Sequence, residues 1–473
     1  MSDLAAQTLL DDPRIAQAKT LIAQALADAQ GRIDGTRPAD PQRAQAFNQQ
    51  LERFGQLRGG KLWYPYIGSG IGRGALVELT DGSVKYDMIN GIGVHGLGHS
   101  DPGMIAAAID GALGDTMMQG NLQANLDSMQ LCDEILKLAK AGGSKLEHCF
   151  LTTSGAMANE NALKIIFQKH APADRIIAFS HCFSGRTMAL ASVTDKAAYR
   201  DGIPDALRVS YLPYFKSDDP DKSIDSALTH LRSHLARYKG RVAGVMFELV
   251  QGEGGYHAGD PRFFKALMAE CKEQGVAVFA DEIQTFGRTT QPFAFQHYGL
   301  GEYIDVVAMG KMSQVCATLF SDEYKPRPGL ISQTFTGATP QIHTALEIID
   351  RMQREAWFGA DGRIEKVRAG FEKRLAQLHQ KHPTLIGGEL FGVGSMLAFQ
   401  VFGGAADKTT AFLNRLFANG VIAFVCGSVS SGSRVRFLPP VSVITDEDID
   451  AVCAIVDQTL IEVDEELTAK QEA

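Results

Sequence analysis

Residues 276–284 read VAVFADEIQ, and residues 305–311 read DVVAMGK. Each is an apolar run of strand length that breaks off in polar residues: Asp281 near the end of the first, Lys311 at the end of the second. Short apolar runs of this kind suit strands buried on both faces of a parallel sheet. Three others share the form: LEHCFLTT (146–153), RIIAFS (175–180) and VAGVMFELV (242–250). Helical patterns lie between them, as in ANENALKIIFQKH (158–170) and PRFFKALMAECKEQG (261–275). This βαβ rhythm predicts an α/β fold whose mostly parallel central sheet is flanked by helices. In open sheets of this type function gathers beyond the carboxyl ends of the strands, which is where Asp281 and Lys311 fall.

Outward from this centre the pattern changes twice. Before it, Asp12-Pro13 offers an N-cap and a first helical residue, with Ile15, Ala18, Ile22 and Leu26 at helical spacing. A second amphipathic stretch runs from Pro41 to Gly59-Gly60, and ALVELTDGSVKYDM (75–88) carries the Asp81-Gly82 signal of a hairpin. After residue 345 a long helical stretch leads into GSMLAFQVF, VIAFV, VRFLPP and a last helix from Thr445, the pattern of a smaller α+β domain. The expected division is an N-terminal helical extension over 1–60, the N-terminal part of a small domain over 61–100, a large domain over 101–344 and the C-terminal part of the small domain over 345–473.

Composition narrows the class. Of 473 residues 45% are hydrophobic and 21% charged, so the chain is globular. The 48 glycines suit many tight turns. Forty-six basic against 55 acidic residues leave a net charge of −9, and an acidic chain has no global attraction for nucleic acid or anionic lipid. Seven scattered cysteines without a C-x-x-C pair predict neither a disulfide framework nor a zinc site, and fit a reduced cytoplasm. No signal-peptide pattern and no apolar run of membrane-spanning length are visible.

An acid and a lysine at neighbouring strand ends suit an ion pair. They also suit pyridoxal phosphate, which needs a lysine amine for a Schiff base and a carboxylate against its pyridine nitrogen. The phosphate of that cofactor needs backbone N–H donors at a helix start, and FLTTSGAMANENALK (150–164) offers a strand, then Ser154-Gly155-Ala156, then a helix. The ring needs an apolar partner, and HCFSGRT (181–187) places Phe183 after another strand.

Together these segments resemble the class III (ω-amino) branch of the fold-type-I aminotransferases. The resemblance runs in order from about residue 62 to 465. It includes TDGSVKYDMINGIGVHGLGHSDP (80–102), FELVQGEGG (247–255), VFADEIQTFGRT (278–289), QTFTGATP (333–340) and VRFLPPVSVITDEDID (435–450). It implies that Lys311 is the Schiff-base lysine and proton carrier, with a lowered pKa, and that Asp281 pairs with the pyridine N–H. Gln284 would bond the phenolic oxygen, Phe183 stack on the ring, Gly155 and Ala156 donate to the phosphate beside Ser154, and Thr334 reach the neighbouring subunit's phosphate. A homodimer with shared active sites follows, with pairing into a tetramer left open.

Two arginines and a glutamate bear on substrate. The resemblance assigns Arg186 to the distal carboxylate of 2-oxoglutarate or glutamate, Arg436 to the α-carboxylate, and Glu253 to a gate that neutralises Arg436 for donors without that group. Guanidinium forks suit carboxylates because two parallel charged hydrogen bonds fix orientation. The implied reaction is ping-pong transamination from a primary amine or ω-amino acid to 2-oxoglutarate or pyruvate.

The chain also departs from the family. Leu249 follows Glu248 where proline is usual, Ser184 replaces a bulkier residue, and IGGELFGVGSML (386–397) lacks an Arg-Gly-x-Gly signature. GKMSQVC (310–316) lies nearer the lysine ε-aminotransferase and 4-aminobutyrate aminotransferase branches, and Ile92 stands where ornithine enzymes carry a tyrosine. Trp63, Tyr64 and Tyr66 suit either a donor pocket or packing of the N-terminal helices.

Other readings keep the fold and change the chemistry: an aminomutase, racemase or decarboxylase, or a non-catalytic PLP-fold binding protein. A nicotinamide dehydrogenase needs a glycine fingerprint between strand and helix. GSGIGRG (68–74) precedes a hairpin instead and reads as a flexible loop, and GVHGLGH (93–99) reads as a structural loop without metal-site spacing.

Overall fold

Seven strands build the sheet that carries the chemistry: β1 (Leu146–Thr152), β2 (Arg175–Phe179), β3 (Arg208–Leu212), β4 (Val242–Glu248), β5 (Ala277–Glu282), β6 (Val306–Met309) and β7 (Cys316–Ser321). In this computed structural model, which describes residues 4–428 and 432–472, their order is β1-β7-β6-β5-β4-β2-β3. β7 is antiparallel to both neighbours, and the other pairings are parallel. The reason is length. Only residues 310–315 separate β6 from β7, and a parallel return needs a crossover of a dozen or more residues. Lys311 sits in that short link.

Apolar residues fill one face of the sheet. Ala158, Ala162 and Ile166 of helix α1 (Gly155–Lys169) pack with Ile176, Met246, Phe279 and Val306, all of them buried. Complete burial of a large aliphatic or aromatic side chain contributes about 1.5–3 kcal/mol, so this seam holds α1 firmly against the strand ends.

The chain divides into two units. The larger comprises Asp110–Ile364 and Phe391–Met396; the other comprises Met1–Ile109, Glu365–Leu390 and Leu397–Ala473. In the latter, Leu76–Leu79 and Val84–Asp87 form the expected hairpin, and Asp81 accepts from the Ser83 amide at 2.8 Å to set its turn. Gly68–Arg73, expected as a loop, is a third strand antiparallel to Leu76–Leu79. Glycine makes it one: a Cβ at Gly72 would lie 2.4 Å from both His99 Cβ and the Leu76 carbonyl oxygen. His99 itself is tied to buried Asp87, Nε2 to Oδ2 at 3.0 Å.

The N-terminal helices start and stop as their residues dictate. Pro13–Gln30 begins on an Asp12 cap, and Ala44–Arg58 ends at Gly59 with φ +74°. The first is tied to the small sheet and to the segment after it: Gln30 Nε2 donates to the carbonyls of Gly72 (2.8 Å) and Ser100 (3.0 Å). Tyr64 packs inward, stacked on Phe417, whereas Trp63 is exposed against Phe424. A three-stranded sheet places Gly432–Phe437 between Leu397–Phe399 and Phe424–Ser428. Among the described residues no helix is long and apolar enough to cross a membrane.

Candidate active site

The strand ends of the larger unit converge on Asp281. Its carboxylate is 6% exposed and accepts from the Ile283 amide (3.0 Å, Oδ1) and from Asn159 Nδ2 (2.9 Å, Oδ2). Asn159 comes from the second turn of α1 and also donates to the Ser184 carbonyl at 2.8 Å, which joins three segments through one amide. Burial pushes the Asp281 carboxyl up to about 6, while the two hydrogen bonds and the Lys311 charge pull it back.

Lys311 opens a single 3-10 turn in the β6–β7 link, with φ at +52°. A side chain there crowds its own backbone, and such conformations persist where the surroundings enforce them, often at functional sites. Its charge acts on Asp281, on Glu248 and on Cys316.

Ile283 explains why these pieces meet. A Cβ at Gly155 would lie 2.9 Å from Ile283 Cγ2, and one at Gly310 would lie 3.4 Å from Ile283 Cδ1 and 2.6 Å from Cys316 Sγ. The start of α1 and the backbone before Lys311 therefore close on the residue two beyond Asp281 only because both are glycine. Ser154 caps α1, its Oγ accepting from the Met157 amide at 3.2 Å. The amides of Gly155 and Ala156 lie in the helix's first turn, where no helical carbonyl takes them. Gly185 brings the SGRT turn to the same place, its missing Cβ 3.3 Å from that of Ala156.

Gln284 is buried, and its Oε1 has no hydrogen-bond partner among the described residues. Gly252 makes room for it: a Cβ there would stand 2.6 Å from Oε1. Phe183 is half-buried, its amide bonded to Glu248 Oε2 at 3.1 Å and its ring edge-on to Tyr199. Arg186 is exposed, with its guanidinium 3.6 Å above the Tyr199 ring. Glu253 lies in the single turn Gly252–Gly255. Thr334 is exposed, on a segment bound to residues 117–119 through Gln119 Nε2 to the Gln333 carbonyl (3.0 Å) and Thr336 amide to the Met118 carbonyl (3.1 Å). Arg436 belongs to the other unit, fully buried in the middle strand of its three-stranded sheet, with Cζ 5.2 Å from the Phe424 ring centre.

The larger unit thus gathers Lys311, Asp281, Gln284, Ser154, Gly155, Ala156 and Phe183. Two neighbours escaped the sequence reading. Asn159 looks like one polar position on a buried helix. Glu248 interrupts an apolar run near its end, and that was the available signal. These residues fit pyridoxal phosphate: a lysine amine, a buried carboxylate held by donors, a helix start for the phosphate, and a buried amide oxygen without a partner beside a glycine cradle.

Comparison with known proteins agrees. The profile of the family described as aminotransferase class-III matches residues 68–460. Acetylornithine aminotransferase of Bacillus subtilis is 31% identical over 80% of this chain and 91% of its own length. The 5-aminovalerate aminotransferase of Pseudomonas aeruginosa is 29% identical over 80% and 89%. Among solved structures, lysine aminotransferase from M. tuberculosis shares the fold, with a TM-score of 0.77 at 22% identity over 87% of this chain and 99% of that one. The chain belongs to the class-III aminotransferases, and its chemistry is pyridoxal-phosphate-dependent transamination.

Proposed function

We propose that this aminotransferase takes its amino group from a primary amine or ω-amino acid and delivers it to a 2-oxo acid, 2-oxoglutarate first and pyruvate second. The observation that carries the reading is Asp281, buried and held by Asn159 and Ile283 within reach of the Lys311 charge. The donor class is supported by the relatives' names: acetylornithine and 5-aminovalerate both carry a terminal amine.

Pyridoxal phosphate supplies an aldehyde that condenses with amines and a pyridine ring that accepts electrons from the adjoining carbon. The residues divide the remaining work. Asp281 would keep a proton on the ring nitrogen. Gln284 would bond the phenolic oxygen, and Phe183 would serve as the ring's apolar partner. Gly155, Ala156 and Ser154 would hold the phosphate at the positive end of α1. Lys311 Nζ moves the proton off the carbon that bears the donor amine, and in the second half-reaction returns one to the oxo-acid carbon. Arg186 takes the acceptor's distal carboxylate, and Arg436 and Glu253 keep the roles the family resemblance implies. The working form is a cytoplasmic homodimer in which Thr334 reaches the partner's phosphate.

The test is an absorbance spectrum with PLP, before and after borohydride, for wild type and Lys311→Ala. A visible band that borohydride bleaches in wild type while fixing the cofactor on the chain, with no such fixation in the variant, is the expected result; a colourless wild type overturns the reading. A panel of terminal amines against 2-oxoglutarate and pyruvate then identifies the pair.

A further inference from the structure

We propose that Gln333 is a positioning residue for the cofactor phosphate: by holding Thr152 of its own chain it fixes Thr334 for the phosphate of the neighbouring subunit, so that each phosphate turn is tied to the anchor of the other site. The proposal rests on the dimer reading of Thr334 above, but the hydrogen bond that carries it lies within one chain.

Thr152 is the last residue of β1 and is fully buried. Ser154 and Gly155, where the phosphate turn enters α1, follow within three residues. Thr152 Oγ1 donates to Gln333 Oε1 at 2.6 Å. The main chain of Gln333 is held from the other side, its carbonyl accepting from Gln119 Nε2 at 3.0 Å. Gln119 Oε1 in turn accepts from the amides of Asn121 (3.0 Å) and Leu122 (2.7 Å). Beyond Thr334, the amide and the hydroxyl of Thr336 both donate to the Met118 carbonyl at 3.1 Å. Gly120 permits that approach, since a Cβ there would stand 2.6 Å from Thr336 Cγ2. Thr334 is exposed between these two anchors. Gln333 joins their framework to the strand that leads into the phosphate turn.

The chemistry of the pair shows that it serves position. Gln333 Nε2 is buried and has no hydrogen-bond partner among the described residues. A buried donor left unpaired is costly. Apolar residues at both 152 and 333 would leave no group orphaned, so burial alone does not call for this pair. A hydrogen bond is directional where apolar packing is not, and this one fixes a single register between the two segments. A phosphate contact needs that fixity. A bond made at about 2.8 Å is lost by about 3.6 Å, so a displacement of Thr334 by under about 1 Å unmakes it.

Titration of the apoprotein with PLP, and with pyridoxal, which lacks the phosphate, tests the proposal. Gln333→Met and Thr152→Val should each weaken PLP by the several-fold expected of Thr334→Ala and leave pyridoxal binding as in wild type. Thr152→Ser keeps the hydroxyl and should bind PLP close to wild type. Adding Thr334→Ala to Gln333→Met should cost nothing further, because the contact is already lost. Losses that add, or that are equal for PLP and pyridoxal, overturn the proposal in favour of a packing role. Mixed dimers show which site is affected. One chain carries Lys311→Ala, so that borohydride fixes PLP only on the other. Gln333→Met placed in the Lys311→Ala chain, whose Thr334 serves the intact site, should weaken that fixation; no loss in this arrangement overturns the proposal. If Thr334→Ala binds PLP as wild type does, the dimer reading fails and this proposal with it. If Thr334→Ala weakens PLP while Gln333→Met does not, the proposal alone fails. Should Gln333→Met not fold, Thr152→Val makes the same comparisons from the other end of the bond.

Discussion

Asn159 does at the residue scale what sequence position alone could not announce. Its Nδ2 gives Asp281 a donor at 2.9 Å inside a site that would otherwise favour the neutral acid. A hydrogen bond to a charged group contributes about 1.5–3 kcal/mol, so Asn159→Ala is expected to weaken PLP binding by roughly ten- to a hundredfold. Titration of the apoprotein with PLP, followed by tryptophan fluorescence, reads this directly, and unchanged affinity would remove Asn159 from the site. Glu282 makes a contrasting case next door. It points to the opposite face of β5, fully buried, and accepts from the amides of Ala294 (2.9 Å) and Phe295 (2.8 Å) and from the Thr285 hydroxyl. Burial raises its carboxyl from 4.5 to about 7. The folded chain then binds this proton more tightly than the unfolded one. Stability from this group is complete below about pH 4.5 and is lost as pH climbs to about 7, by on the order of 3 kcal/mol. Denaturant melts of Glu282→Gln should lose this slope; equal slopes would show that the carboxyl titrates normally.

At the scale of elements, α1 separates what caps a helix from what binds at its start. Ser154 Oγ is engaged by the Met157 amide, so Ser154→Ala should cost about 1 kcal/mol of stability and lower Tm, with a smaller loss of PLP affinity. Gly155→Ala should do the reverse. Its Cβ would meet Ile283 Cγ2 at 2.9 Å and push the helix start away from the Asp281 strand end. Overpacking of this kind costs about 1–3 kcal/mol, and here the loss is expected in PLP affinity. Affinities and Tm values that move together in both variants would contradict the separation. These elements also show what a sequence reveals. The strand holding Asp281 and the strand leading to Lys311 were legible because burial on both faces writes an unbroken apolar run, and Asp12, Pro13 and Gly59 marked their helix ends. β3 was not legible: RVSYL lies at the sheet edge and is only partly buried. β7 was missed because CATLFS follows Lys311 too closely for a βαβ rhythm. Asn159 acts through neighbours brought together by helix docking, and that relation leaves no local pattern.

For the whole molecule, the segments around Thr334 present an argument about assembly. Gly337 and Ala338 pair with Met118 and Met117, and Asn121 Nδ2 donates to Ser332 Oγ at 2.7 Å, so two distant stretches form one surface. That surface exposes Leu122 at 90%, Leu126 at 70% and Phe335 at 58%. Clustered exposure of large apolar side chains marks interaction sites, because isolated ones are ordinary and groups are costly. Phe335 follows Thr334 directly, so the proposed pairing of two copies through this face would carry Thr334 to the neighbour. Wild type is then expected to sediment at twice the chain mass. Leu122→Asp with Phe335→Asp should shift it toward the single chain and weaken PLP binding in the same step, although neither residue lies beside Lys311 or Asp281. Thr334→Ala separates the two effects: it should keep the dimer and still lower PLP affinity by several-fold, the size of one lost hydrogen bond. Sedimentation velocity and PLP titration on the same preparations decide. A double variant that becomes monomeric yet binds PLP as wild type does would show that the surface pairs the chains without completing their sites.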